Sequence, residues 1–316
     1  MIPSKFAPAP FDGKRFSNLS GRPPNSTADV LRWMRSRHKP EWPKHIANQP
    51  APKPLDRVND GSIRVTLIGH ATVLLQVAGV NILTDPIWSD RAGPTSWLGS
   101  RRVRAPAIPF ADMPKIDAVL LSHNHYDHLD RPTLKALAKR DAPLIVTGLG
   151  VGRSVPSDRV TELDWWQSHR LSPSIRATYV PAEHSSARTP LDRNKSLWGG
   201  FVLETPAGVV YFAADSAAGP HFAMIRERFG PMDLALFPIG AYAPRWFMSK
   251  VHMDPAEAVT AAATCGARVN LPIHYGVFPL ADDPCDEPAM LLAKARASCQ
   301  VEFPEPKWGQ PIVVRK

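Results

Sequence analysis

Residues 121–130 read Leu-Ser-His-Asn-His-Tyr-Asp-His-Leu-Asp. Here His123, His125, Asp127 and His128 crowd three imidazoles and a carboxylate into six positions. The chain has 11 histidines in all, so the cluster stands well above background. Imidazole and carboxylate are donors that suit Zn²⁺, and less exclusively Fe or Mn. The spacing has a mechanical meaning too. Ala118-Val119-Leu120-Leu121 is an apolar run of strand type. If the chain stays extended beyond it, His123 and His125 point to one side, because strand side chains alternate. Asp127 and His128 are neighbours, so a turn must swing both toward a second point nearby. One strand end can then feed two metal ions.

Three more candidate ligands sit at the ends of apolar runs. His184 follows Thr178-Tyr179-Val180-Pro181, Asp215 follows Val209-Val210-Tyr211-Phe212-Ala213-Ala214, and His274 follows Asn270-Leu271-Pro272-Ile273. Each repeats the logic of His123: a buried strand ends and a ligand stands at its rim. Rigid strands hold such groups more accurately than free loops do.

The elements that must position them are short and mixed. Strand-like runs cover residues 63–68, 72–77, 80–84, 119–121, 144–147, 160–163, 177–180, 200–204, 209–213, 234–239, 269–273 and 311–315. Thr205-Pro206-Ala207-Gly208 reads as a hairpin turn. Helices are expected over 132–140, 221–229, 255–265 and 288–298. Asp254-Pro255-Ala256-Glu257 carries the cap, the first-turn proline and the returning acid of a helix start.

At 316 residues, 44% hydrophobic and 21% charged, the chain has the make-up of a globular protein. It has no apolar run long enough for a transmembrane helix and no secretory-type apolar leader, so a cytoplasmic location is expected. Cys265, Cys285 and Cys299 form no Cys-x-x-Cys pair and read as reduced thiols. The net charge of +9 is uneven. Residues 1–60 hold eleven Lys/Arg against five Asp/Glu, and ten of the 34 prolines. They read as a basic, Pro-rich N-terminal arm ahead of a domain over 61–316. Asn25-Ser26-Thr27 offers caps for a short helix over 28–37. Val30, Leu31, Trp33 and Met34 make one side of it apolar; Arg32, Arg35 and Arg37 make the rest basic. That helix either packs on the body or touches an anionic membrane surface. No nucleic-acid-binding motif accompanies the charge, and no nucleic-acid partner is expected. An oligomer is compatible with the sequence.

The ordered set His123-Asn124-His125-Tyr126-Asp127-His128, His184, Asp215 and His274 resembles the metallo-β-lactamase superfamily. Gly69-His70-Ala71-Thr72, Leu83-Thr84-Asp85-Pro86-Ile87 and Glu162-Leu163-Asp164-Trp165-Trp166 are similar to one branch, the N-acyl-phosphatidylethanolamine-hydrolysing phospholipase D family. So are Phe229-Gly230-Pro231-Met232-Asp233-Leu234 and the stretch from Pro238 through Gly240-Ala241-Tyr242 to Pro244-Arg245-Trp246-Phe247-Met248. The resemblance spans about residues 60–300. It departs from the vertebrate pattern at Glu183 and Ser185 around His184, at Ser216-Ala217 after Asp215, and at Tyr275 after His274. These positions flank ligands, which leaves the chemistry in place and the substrate preference open.

The resemblance implies an α/β fold, the four-layer αββα sandwich, with two Zn²⁺ at one edge. It implies that His123, His125 and His184 hold one metal, Asp127, His128 and His274 the other, and that Asp215 bridges them. The implied activity is phospholipase D-type phosphodiester hydrolysis of N-acyl-phosphatidylethanolamine-like lipids by a metal-bridging hydroxide. Asp127 and His252 are the candidate catalytic groups, His252 serving the departing alkoxide. Arg245, Trp246 and Tyr242 are candidate substrate contacts, with Arg245 set against a phosphate. His70 is expected behind the ligands. Hydrolysis of a lactone or other ester by the same site is the rival enzymatic reading. A non-catalytic membrane-docking protein is the rival of another class.

Overall fold

The computed structural model describes residues 5–297, 299 and 301–315. Two sheets face each other. The first has seven strands in the order β15-β1-β2-β3-β6-β7-β8 and the second six, β14-β13-β12-β11-β10-β9. In chain order, the N-terminal arm carries α1 (Thr27–Ser36), and β1 (Ile63–Gly69), β2 (Thr72–Val77) and β3 (Val80–Thr84) follow as an antiparallel meander. A small hairpin, β4 (Arg91–Ala92) and β5 (Ser100–Arg101), precedes β6 (Ala118–Leu121), α2 (Arg131–Arg140), β7 (Leu144–Gly148) and β8 (Val160–Leu163). The second sheet starts with β9 (Ser168–Ser172), β10 (Ile175–Val180), β11 (Gly200–Thr205) and β12 (Gly208–Phe212). Then come α3 (His221–Phe229), β13 (Leu234–Pro238), α4 (Arg245–Met248), α5 (Pro255–Cys265), β14 (Val269–Ile273), α6 (Glu287–Arg296) and β15 (Pro311–Val314).

The two-residue period of the strands builds the layers. On β2, β3, β6 and β7, the side chains of Val73, Leu75, Ile82, Leu120 and Val146 turn inward to meet Phe201, Leu203, Phe212 and Leu236 of the second sheet. Their neighbours Leu74, Leu83, Val119, Leu121 and Ile145 turn outward, where Leu134 and Leu137 of α2 cover them. Each of those two leucines is fully buried, worth roughly 1.5–3 kcal/mol. Phe222 and Ile225 of α3, with Ala258, Val259 and Ala262 of α5, close the outer face of the second sheet. The expected αββα sandwich is therefore the fold.

Element positions follow the sequence reading closely, with ends displaced by a residue or two. The last residue of the expected helix over 288–298 lies outside the described residues. A few short elements were not expected. β9, Ser-His-Arg-Leu-Ser, is a partly exposed edge strand with too little apolar content to announce itself. The β4–β5 hairpin and α4 are too short for any periodicity.

The arm packs across the body. Phe16 is buried in the main core, and Asn25 donates to the Phe247 carbonyl at 2.9 Å. α1 starts in a capping box between Ser26 and Asp29. It lays Val30 and Trp33 on Phe247 and Met248, with the Trp33 and Phe247 rings stacked at 4.9 Å. Trp33 Nε1 and Arg37 Nε both donate to Asp282, at 3.0 and 2.8 Å. Leu31 and Met34, on the same helix, stay exposed.

Candidate metal centre

Strand direction explains why the ligands meet. β1, β3 and β6 run in one sense in the first sheet, and β10, β12 and β14 share one in the second. His70, Asp85 and His123 follow the C-terminal ends of the first three; His184, Asp215 and His274 follow those of the second three. Open sheets gather their ligands at such edges. Beyond β6 the chain stays extended, then turns over 126–128, with the His128 and Leu129 amides donating to the His125 carbonyl at 3.2 and 2.8 Å. That turn swings Asp127 and His128 away from His123 and His125.

The result is two adjoining nests. His123 Nε2 lies 2.9 Å from His125 Nδ1, and His184 Nε2 lies 3.3 Å from the same atom. In the other nest, His128 Nε2 and His274 Nε2 each stand 3.2 Å from Asp127 Oδ2. Asp215 Oδ2 sits between, 3.1 Å from His128 Nε2, 3.1 Å from His274 Nε2 and 3.6 Å from His184 Nε2. All seven expected ligands converge. His70 Nε2 joins them 3.0 Å from Asp127 Oδ2, its ring 4.1 Å from that of His274.

The donor set fits divalent metal ions. His128 Nε2 is buried and close to two carboxylates, yet makes no hydrogen bond to either, and Asp215 Oδ1 is likewise buried without a partner. Buried polar atoms of this kind call for a ligand. Burial first, then the neighbouring imidazoles, holds His123 well below the usual imidazole range and His125 at about 3. Burial likewise lowers His184. These rings are neutral at pH 7, as metal ligation requires. Burial opposes charge on His128 and His274 too, but Asp215 and Asp127 outweigh it, lifting His128 well above its usual range and His274 to about 9. Burial would raise Asp127 and Asp215, yet the imidazoles of His128 and His274 beside them keep both carboxylates well below their usual range. The second nest thus holds concentrated negative charge that protons offset until a cation takes their place.

Several supporting residues were missed in the sequence. Asp85, fully buried, accepts from the Ser122 amide at 2.7 Å and the Ser122 hydroxyl at 2.6 Å, and its Oδ2 lies 2.7 Å from His128 Nδ1. A carboxylate there fixes the His128 ring with Nε2 facing the centre. Asp85, His70 and His274 adopt left-handed φ of 31°, 54° and 63°, backbone that side chains other than glycine seldom take. Tyr179 of β10 donates across the sandwich to the Ser122 carbonyl at 2.7 Å. A Cβ on Gly148 would stand 2.5 Å from that hydroxyl, which explains the glycine. Arg188 donates to the Asn124 and Leu129 carbonyls, both at 2.9 Å, bracketing the histidine turn. Asp85→Asn should lower metal affinity by about 10–100-fold. Competition with a chelator measures it, and an unchanged affinity would show that His128 does not need the carboxylate.

His252 lies beside the centre, its ring edge-on to His184 at 5.0 Å and tilted against His274 at 5.3 Å, with Nδ1 buried and unpartnered. Arg245 does not reach the cluster with its charge: it donates to Glu257 at 2.7 Å and to the His252 carbonyl at 3.0 Å, with Asp254 at 3.6 Å. Glu257 and Asp254 are the capping box of α5. Tyr242 donates to Glu287 at 2.6 Å, and Trp246 is half-exposed under Arg32, 4.6 Å from its ring centre.

His221, at the start of α3, is fully buried, and burial lowers its pKa to about 3. Its folded pKa lies below the unfolded 6.5, so the unfolded chain binds the extra proton, and stability falls as pH drops from 6.5 toward 3. Between pH 6.5 and 5 that loss is about 2 kcal/mol. His221→Leu should show a correspondingly smaller loss in denaturant unfolding at the two pH values. An equal loss would mean that His221 is already protonated in the folded chain.

Residues 80–275 match the family described as beta-lactamase superfamily domain. The chain belongs to the metallo-β-lactamase superfamily. An uncharacterized protein of Mycobacterium tuberculosis is 39% identical over 283 residues, 85% of this chain and 75% of that one. The N-acyl-phosphatidylethanolamine-hydrolyzing phospholipase D 1 of Caenorhabditis elegans is 36% identical over 287 residues, 84% of this chain and 80% of that one. Among solved structures, a metallo hydrolase of Ignicoccus hospitalis superimposes with a TM-score of 0.62 at 20% identity, over 81% of this chain and 99% of that one, a likeness of fold.

Proposed function

We propose that this protein is a zinc-dependent phosphodiester hydrolase of phospholipase D type, acting on N-acyl-phosphatidylethanolamine-like lipids. The observation that carries the reading is the double nest bridged by Asp215, in a chain 36% identical to the nematode phospholipase D. Two divalent ions held there would supply a nucleophilic water with its pKa lowered toward ~7 and would stabilise the charge on the phosphoryl oxygens.

The chain's own residues supply the rest. Asp127 holds its place between His70, His128 and His274, so the second nest keeps its shape when substrate enters. His252 stands where a leaving alkoxide can be met. Burial keeps its pKa well below the usual range, so it stands as a neutral imidazole that donates a ring N–H hydrogen bond to the leaving oxygen. Arg245 is best read as holding His252: its guanidinium ties α4 to the His252 carbonyl and the α5 cap. Arg245→Ala should then change KM and kcat for anionic and neutral substrates alike, measured side by side. A KM rise confined to the anion would restore direct phosphate contact.

Exposed Leu31 and Met34 on α1, with Trp246 nearby and Arg32 and Arg35 beside them, favour peripheral contact with an anionic lipid surface. No helix among the described residues is long and apolar enough to cross a membrane. The test of the proposal is a substrate panel of soluble phosphodiesters, lactones and N-acylated phospholipids offered to the zinc-loaded chain. Phosphodiesters should be hydrolysed faster than lactones. The reverse order would make the protein an ester or lactone hydrolase, and no turnover on any would favour a docking protein.

A further inference from the structure

We infer that Asn18, in the N-terminal arm, is a positioning residue for the metal nest of His123, His125 and His184. The inference rests on the two-metal reading of the centre. His184 lies beyond the end of β10, where no strand neighbour satisfies its peptide groups, and it is almost fully buried. Asn18 satisfies both. Its Nδ2 donates to the His184 carbonyl at 3.0 Å, and its Oδ1 accepts from the His184 amide at 3.0 Å. This reciprocal pair fixes the position and the plane of the His184 backbone. Oδ1 also accepts from Trp198 Nε1 at 3.0 Å, which anchors the asparagine itself.

The neighbouring residues extend the clasp. The Ser20 amide donates to Glu183 Oε1 at 2.9 Å and the Ser20 hydroxyl donates to Glu183 Oε2. Phe16 is buried in the core, and its amide donates to the Asn194 carbonyl at 2.8 Å. On its other side Glu183 accepts from the Ala217 amide at 2.8 Å, and its own amide donates to the Ser216 hydroxyl at 3.0 Å, which joins it to the loop of Asp215. With the backbone held, the His184 ring pairs Nδ1 with the Val251 carbonyl at 2.8 Å and turns Nε2 into the centre. Glu183, one of the departures from the vertebrate pattern, is thus matched to a serine of this chain's own arm. A side chain 166 residues away in sequence completes the support of one ligand.

The test measures zinc binding by the full-length chain under chelator competition, with thermal melting as the check on folding. Wild type should hold two zinc ions. Asn18→Ala should keep one at wild-type affinity and weaken the other by about 10–100-fold, as loss of a group that orients a ligand does. Ser20→Ala, a milder change, should weaken the same ion by less and serves if the alanine variant at position 18 does not fold. Wild-type affinity for both ions in these variants would overturn the clasp. So would equal weakening of both ions together with a lower melting temperature. A wild-type chain that binds no zinc would instead overturn the metal centre itself.

Discussion

His125→Ala and His274→Ala should each cut hydrolysis by roughly 10³-fold or more, equivalent to about 4 kcal/mol of transition-state stabilisation. Each nest would lose a donor. His125 Nδ1 lies within 3.3 Å of both His123 Nε2 and His184 Nε2, and His274 Nε2 lies 3.1 Å from Asp215 and 3.2 Å from Asp127. The fold should survive, because both residues stand past strand ends and neither contributes to an apolar core. Metal content, circular dichroism and turnover of a soluble phosphodiester separate the two effects. A variant that keeps full turnover would remove that residue from the chemistry.

Deleting residues 1–37 should be nearly as severe. The arm supplies buried Phe16, the Asn18 and Ser20 hydrogen bonds to the His184 loop, and the Asn25 bond to Phe247. It also supplies the Trp33 stack on Phe247 and the Arg37 pairing with Asp282. Its loss would expose apolar core and leave buried polar groups at positions 184 and 247 without partners, each costing about 1–3 kcal/mol. The truncated chain should be insoluble, or soluble without bound zinc and without turnover. A soluble truncation with full turnover of a small phosphodiester and weaker binding to anionic vesicles would make the arm a membrane device alone.

The ligands could be read from the sequence because metal chemistry restricts residue type and strands restrict placement. A histidine directly past an apolar run has little freedom in where it points. Asp85 also follows a strand-like run, 80–84, yet its role could not be read from that place alone. A carboxylate between a strand and a proline looks like a turn residue, and only the fold reveals His128 beside it. Asn18 was less visible still, since nothing local marks a contact with His184. The apolar side of α1 was legible, but not its division: Val30 and Trp33 cover Phe247, while Leu31 and Met34 face solvent. Arg245 shows the limit for charged groups. Its proximity to the site region followed from the motif, whereas its direction depends on the acids of the α5 cap, which offer a nearer partner than any substrate.

The cluster is expected to bind two metal ions, and phosphodiester hydrolysis to depend on both. Adding zinc stepwise to the metal-stripped, full-length chain, while following turnover of a soluble phosphodiester, tests it directly. Turnover should be negligible without metal and should rise to a plateau at about two equivalents of zinc. Full turnover by the stripped chain, or a chain that takes up zinc with no gain in turnover, would contradict it.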